Sequence, residues 1–208
     1  MSADADLDRI IDAATRLFAE LGFDGTSPRL IADAAGVDPA TVDRLTGGKT
    51  ELYRKVMRRA TDAEKRAVGG AVGDFTPTRQ GVERLVDRYL DFYAAHPEYL
   101  GLWLHRRTGD AADTADLDEL YVRPRLGGVA EALREAVPGD IDLDLTIWTF
   151  PWVISGFLSQ RALGTRTGAE SDTDGPYRNI SPDELERFRA HLHTLLERML
   201  TLPDGADR

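Results

Sequence analysis

Residues 28–47, PRLIADAAGVDPATVDRLTG, decide how the rest of the chain is read. Ala32 is followed four residues on by Gly36 and six residues later by Val42, with Ile31, Ala35, Val37 and Leu45 in the apolar positions between them. This is the steric pattern of two short helices that cross closely. Ala32 is small where the second helix must approach, Gly36 admits the positive φ of a tight turn, and Val42 pins the second helix onto the first. Ser27-Pro28 and Asp38-Pro39 each put a side-chain oxygen at an N-cap and a proline at the first helical position, where a missing N–H costs nothing. The stretch predicts two capped helices joined by a glycine turn.

Such a hairpin occurs in many α-helical proteins, and it is also the frame of a DNA-reading helix-turn-helix. The flanking sequence discriminates between them. Ala14, Leu17, Phe18, Ala19, Gly22, Phe23, Thr26 and Ser27 form an A-x-x-L-F-A-x-x-G-[FY]-x-x-T-S run. Ile31 to Val37 read I-A-x-x-A-G-V, Thr41 follows, and Gly47 to Leu52 read G-x-K-x-E-L. Over residues 9–57 the chain resembles the DNA-binding domain of the tetracycline-repressor (TetR) family. The resemblance covers the first quarter of the chain and has two departures. Asp43 stands where the family usually carries a tyrosine, and Thr46 where it usually carries a phenylalanine. The first puts an acid on the helix expected to face phosphate, and the second removes an aromatic from under the turn. Either the target is read unusually, with a carboxylate accepting from a cytosine amino group, or DNA affinity is weak.

Length and composition bound the rest. With 208 residues, 42% hydrophobic and 30% charged, the chain has the make-up of a soluble globular protein of two unequal domains. There is no cysteine, so no disulfide, thiolate metal site or thiol nucleophile enters the reading. The N-terminus MSADADLDRI lacks a signal pattern and no apolar run is long enough to span a bilayer, so a cytoplasmic location and no membrane partner are expected. Net charge is −10, from 26 basic and 36 acidic residues. Up to Arg66 there are 11 basic and 12 acidic residues, so the acidity sits in the C-terminal part. A near-neutral N-terminal region argues against strong non-specific DNA binding.

Periodicity predicts about nine helices and no strand, an all-α fold. Leu7, Ile10, Ile11, Ala14, Leu17, Phe18 and Leu21 form one stripe, ended by Gly22, with Phe18 and Phe23 central to the N-terminal core. A helix from Lys49 through Leu52, Val56 and Ala60 to near Val68, before Gly69-Gly70, is expected to connect the domains. Thr76-Pro77 reads as a further capped start, for a helix to Ala95. Further helices are expected over 97–107, over 114–137 with a kink or a split into two pieces at Pro124 and Gly127-Gly128, and over 142–163, the last so apolar that it should be central. Ser181, Pro182 and Glu184 form a capping box before a stripe of Leu185, Phe188, Leu192, Leu195, Leu196, Met199 and Leu200. Residues 164–180 read as a loop. The expected domains are residues 1–48 for the three-helix helix-turn-helix domain, 49–68 for the connecting helix, and 69–208 for a helical ligand-binding and dimerisation domain.

Residues 39–46 are the expected recognition helix, presenting Pro39, Ala40, Thr41 and Arg44, together with Asp43, to base edges. Arg44 suits the O6 and N7 of guanine, and Ala40 or the Thr41 methyl suits a thymine methyl. Thr26, Ser27, Arg29 and Lys49 are the candidates for holding phosphates, and Tyr53 either lends a hydroxyl or packs half-buried. Nine of the chain's 16 aromatic residues lie in 89–103 and 148–157, and Pro151 interrupts the apolar helix beside two tryptophans. Tyr89, Phe92, Trp103, Trp148 and Trp152, with His105 and Arg106 as polar contacts, are therefore candidates for a small-molecule pocket, against the alternative of a well-filled core. His191 and His193 lack the i, i+4 spacing of a metal pair, and no nucleophile, phosphate-loop or zinc-protease motif occurs, so no cofactor, metal or catalytic residue is assigned.

The resemblance implies a transcriptional regulator, usually a homodimeric repressor of double-stranded DNA whose pocket binds a small inducer. The apolar stripes of the last two helices suit a four-helix bundle with a second copy, through Phe157, Leu185, Phe188, Leu192, Leu195, Leu196 and Met199. The rival reading is a ligand-binding or protein-interaction dimer of the same fold that has lost useful DNA affinity. The effector, the operator and the sign of regulation are left open by the sequence.

Overall fold

The computed structural model describes residues 3–107, 123–135, 137–163, 180–200 and 202. Among them are nine helices and no strand. They are α1 (Ala3–Gly25), α2 (Pro28–Ala35), α3 (Pro39–Thr46), α4 (Lys49–Gly73), α5 (Arg79–Ala95), α6 (Pro97–Arg107), α7 (Arg123–Leu133), α8 (Leu143–Leu163) and α9 (Pro182–Met199). The fold is all-α, as expected. The predicted loop over 164–179 and the predicted helical residues 114–122 lie outside the described residues. No helix among the described residues is long and apolar enough to cross a membrane.

The described residues divide into two compact units, the first made of residues 3–63 and 96–107, the second of residues 64–95 and those from 123 onward. In the first unit α1 buries Ile10, Ala14 and Phe18 along its predicted stripe and breaks at Gly22, whose φ of 74° and ψ of 174° no other residue type adopts cheaply. The break turns Phe23 back onto the core. Its ring lies 5.9 Å from that of Phe18 and 5.1 Å from that of Tyr53, and the Phe18 and Tyr53 rings meet edge-on at 5.2 Å. α6 falls inside the range expected for the C-terminal domain, yet it packs along α1 and belongs to the first unit, with Leu100, Leu102 and Trp103 buried.

α4 runs as one helix out of the first unit into the second, through Gly69-Gly70 to Gly73, past its expected end near Val68. Residues four apart along it are buried: Leu52, Val56, Ala60, Glu64 and Val68.

In the second unit α5 starts two residues later than Thr76-Pro77 suggests. Thr78 holds the cap, its Oγ1 accepting the Gly81 N–H at 3.2 Å and its carbonyl accepting the Val82 N–H at 3.0 Å. Thr76 instead folds over the first turn, so that a Cβ on Gly81 would lie 2.0 Å from the Thr76 carbonyl oxygen. α5 packs against α9, and the seam carries ion pairs, Arg79 with Glu197 at 2.8 Å and Arg189 with Asp87 at 3.0 Å and with Asp91 at 2.6 Å, beside a hydrogen bond between His193 Nε2 and Asp87 at 2.9 Å. Burial works against the charge on Arg189, but hydrogen bonds and attraction from Asp91 and Asp87 outweigh it and raise its pKa above the ordinary arginine value.

Two expectations are corrected here. Leu192 and Leu196, assigned to the dimer interface, are 0% and 2% exposed within the single chain. They belong to the face of α9 that packs on α5, so they are core. α8, expected to be central, buries Phe150, Ile154 and Leu158 on one side and leaves Leu145 56% and Trp152 49% exposed on the other. An all-round apolar helix signals that every face needs covering, and it does not say that one chain supplies all the cover.

Gly81→Ala is expected to destabilise the protein by about 1–3 kcal/mol, because backbone rather than a flexible side chain must yield. A lowered urea midpoint at unchanged slope checks it.

Candidate functional site

α2 and α3 hold the geometry their sequence promises. Ser27 caps α2, its Oγ accepting the Leu30 N–H at 3.2 Å, and Gly36 closes it at a φ of 67°. Asp38 caps α3 with both carboxylate oxygens, one accepting the Thr41 N–H at 2.8 Å and the other the Thr41 hydroxyl at 2.8 Å. The hydrogen bond from the Thr41 side chain, followed by that from its backbone, holds the Asp38 carboxyl below the usual carboxylate range.

At the other end of α3, Lys55 of α4 donates from Nζ to the Thr46 carbonyl at 3.0 Å, placing a cation on the negative end of the helix. Thr46 fills the position of the missing aromatic by turning inward. It is 2% exposed, and its Oγ1 donates to the Val42 carbonyl at 2.8 Å. α3 is thus fixed at both ends and buried along its back by Val42 and Thr46.

Its front is open. Pro39, Ala40, Asp43 and Arg44 are exposed, and Thr41 is half-buried with its hydroxyl engaged on Asp38. Among the described residues no hydrogen bond or ion pair engages the Asp43 carboxylate or the Arg44 guanidinium. Arg29 is exposed on α2, and Ser27 is exposed beside it as the cap. Lys49 is half-buried, its ammonium 4.1 Å from the centre of the Phe23 ring. Thr26 and Tyr53 are corrected: both are 1% exposed. The Thr26 hydroxyl donates to the Gly22 carbonyl at 2.7 Å, and the Tyr53 ring is enclosed by Phe18 and Phe23, so both side chains build the core behind the surface.

The candidate ligand residues are divided between the units. Trp103 (8% exposed), His105 and the buried Arg106 are on α6 in the first; Tyr89, Phe92, Trp148 and Trp152 are in the second. In the second unit Phe92 is buried, Tyr89 and Phe92 both contact the Tyr93 ring at 4.8 and 5.0 Å, and Trp148 stacks on Trp152 at 6.0 Å. The openness of Trp152 places it on the outer face of α8, not in an interior. A cleft of about 190 Å³ at the α7–α8 turn, lined by Arg134, Pro138, Ile141 and Asp142 among others, shares no residue with the expected set.

Two residues escape sequence reading. Lys55 gives no local signal, because its partner is a carbonyl nine residues away. Glu64 is 5% exposed and accepts the Tyr93 hydroxyl at 2.9 Å. Its signal is legible as an acid in the four-residue apolar repeat of α4.

The comparisons agree with this geometry. Residues 10–56 match the family model of bacterial regulatory proteins, tetR family. Residues 10–56 thus carry a DNA-binding domain of the tetR type. These matches support a transcriptional regulator. The chain is similar to the HTH-type transcriptional repressor SCO4008 of Streptomyces coelicolor, at 29% identity over 175 residues, covering 80% of this chain and 86% of that protein. Its fold is similar to that of the TetR family transcriptional regulator PfmR from Thermus thermophilus, with a TM-score of 0.66, 18% identity and 97% of each chain covered. It is also similar to AibR, solved in complex with isovaleryl coenzyme A and operator DNA, with a TM-score of 0.71, 16% identity, and 91% and 97% covered.

The Asp38 cap has a pH signature. A depressed carboxyl stabilises the fold fully above its unfolded value, near about 3.9, and loses that contribution as pH falls through the lower folded value. Asp38→Ala is expected to lower the melting temperature at neutral pH, with the gap to wild type closing in acid. A gap that persists unchanged at low pH would show that the carboxylate charge is not what holds α3.

Proposed function

We propose that this chain is a tetR-family regulator, a cytoplasmic, homodimeric repressor that binds a near-palindromic operator in double-stranded DNA and is released by a small molecule. The observation that carries the reading is the front of α3: Ala40, Asp43 and Arg44 stand open on a helix whose two ends are tied and whose back is buried. A recognition helix must be rigid to hold a register, and it must leave its outward side chains uncommitted. Arg44 then grips guanine through O6 and N7, Ala40 or the Thr41 methyl meets a thymine methyl, and Ser27, Arg29 and Lys49 hold phosphates.

Residues 1–48 do the reading, 49–68 connect, and 69–208 bind effector and pair, with α6 contributing to the first unit. The pairing surface is the open face of α8, where Leu145, Trp148 and Trp152 recur at three and four and Gly156 follows with open space at its Cβ position. Trp152 moves from the pocket set to this surface. α9 adds Leu185, Leu195 and Met199, and Phe157 stacked on Phe188 at 3.7 Å holds α8 and α9 together. Such a stripe is too apolar to stay wet, and a second copy covers it isologously.

The effector site draws on Tyr89, Phe92 and Trp148, near the buried Tyr93–Glu64 pair. Glu64 is on the same helix as Lys55, which holds the last carbonyl of α3. A ligand that prefers one arrangement of the second unit acts on the reading helix through α4, and it releases DNA if that arrangement does not fit the operator. The similar fold of AibR, whose structure holds both a ligand and operator DNA, supports this pairing of functions.

The balance of three basic and three acidic residues from Pro28 to Lys49 favours the second reading, a dimer with lapsed DNA binding. Fluorescence anisotropy against duplexes flanking the chain's own coding region, with scrambled duplex as control, separates the two. The operator reading expects tight, discriminating binding, weakened about 10- to 100-fold by Arg44→Ala. Equal, weak, salt-labile binding to both duplexes overturns it. Trp152→Glu is expected to convert dimer to monomer in sedimentation velocity while leaving the helical circular dichroism intact.

A further inference from the structure

We infer that Asp43 is the residue that sets operator specificity, accepting a hydrogen bond from a cytosine amino group in each half-site and penalising duplexes that lack a donor there. The inference rests on the operator-binding reading and goes beyond it by naming the base and the side chain.

The open face of α3 holds one carboxylate and one guanidinium, from Asp43 and Arg44, on either side of Ala40. The other acid of the helix, Asp38, is excluded from reading because both its oxygens are committed to Thr41. Asp43 has no such commitment among the described residues. No structural task explains it: its backbone carbonyl accepts the Gly47 N–H, but the side chain neither caps α3 nor pairs with Arg44 or Lys49.

A free carboxylate in a major groove is surrounded by phosphate charge and loses its water on docking. It is tolerated only where a donor meets it; in that groove the donors are cytosine N4 and adenine N6, and the N7 acceptor beside adenine N6 repels a carboxylate, which favours cytosine. An aspartate is short, so it reaches a base edge only if the helix backbone comes close. Ala40, with only a methyl between the two charged side chains, permits that approach. Arg44 beside it reads guanine, so the two side chains together favour a half-site with a cytosine and a guanine at fixed spacing.

The test is selection from a randomised duplex library with the full-length protein, its Asp43→Ala variant and its Asp43→Asn variant, followed by anisotropy on the enriched and scrambled duplexes at two salt concentrations. Wild type should enrich one position for cytosine by about tenfold, and Asp43→Ala should lose that preference there alone. Asp43→Ala should also bind scrambled duplex several-fold more tightly, with a steeper salt dependence, since a repelling charge is gone. Asp43→Asn should shift the same position toward adenine, a change that loss of folding does not produce. If wild type and both variants enrich the same base at every position, the role of Asp43 is overturned and operator binding stands. If wild type enriches no sequence, operator binding itself falls and this inference falls with it.

Discussion

Two helices of eight residues do not persist in water, because an isolated turn of helix fixes more dihedrals than its hydrogen bonds repay. The whole N-terminal unit answers that constraint. α2 and α3 begin at side-chain caps and end at left-handed glycines, and their buried residues rest on a core of Phe18, Phe23 and Tyr53 supplied by α1, the segment after Gly22, and α4. The Lys55 bond to the Thr46 carbonyl extends the same logic, since it satisfies the exposed end of α3 with a charge borne by the longest helix. The front of α3 stays open while its two ends and its back are held.

How much of this is legible in the sequence depends on how local the cause is. Ser27, Asp38 and Ser181 announce their helix starts because a cap is a contact between residues two or three apart, and the structure shows each bond. Thr76 misleads because Thr78, two residues on, offers the same chemistry, and Pro77 marks a turn as readily as a first helical position. The α4 glycines mislead because propensity is a weak preference and tertiary packing overrides it. Burial is harder still. A stripe such as Leu185 to Leu200 states that a face must be covered but not by what, so Leu192 and Leu196 read as interface although α5 covers them. Thr26 and Tyr53 read as surface groups because a hydroxyl suggests phosphate, whereas a hydroxyl satisfied inside the helix, as in Thr26, is invisible to spacing.

The second unit follows a different principle. Its α5–α9 seam combines buried leucines with ion pairs at partly exposed positions, and pairs of that kind contribute little energy each but fix how two helices register. α8 leaves Leu145 and Trp152 exposed and Trp148 half-buried, with the exposed Asp144 in its first turn.

One feature of α4 bears on how mechanical load divides along it. At Gly69, Gly70 and Gly73 an added Cβ would meet nothing within 4 Å, so these glycines are not there to let another element approach. They leave the last turns of the helix without side-chain shielding of the backbone, while the turns up to Val68 are clamped by a buried residue at every fourth position. The helix is therefore a stiff rod with a compliant tip. Bending is absorbed at the tip, and what the stiff portion passes on is rotation and translation along its own axis.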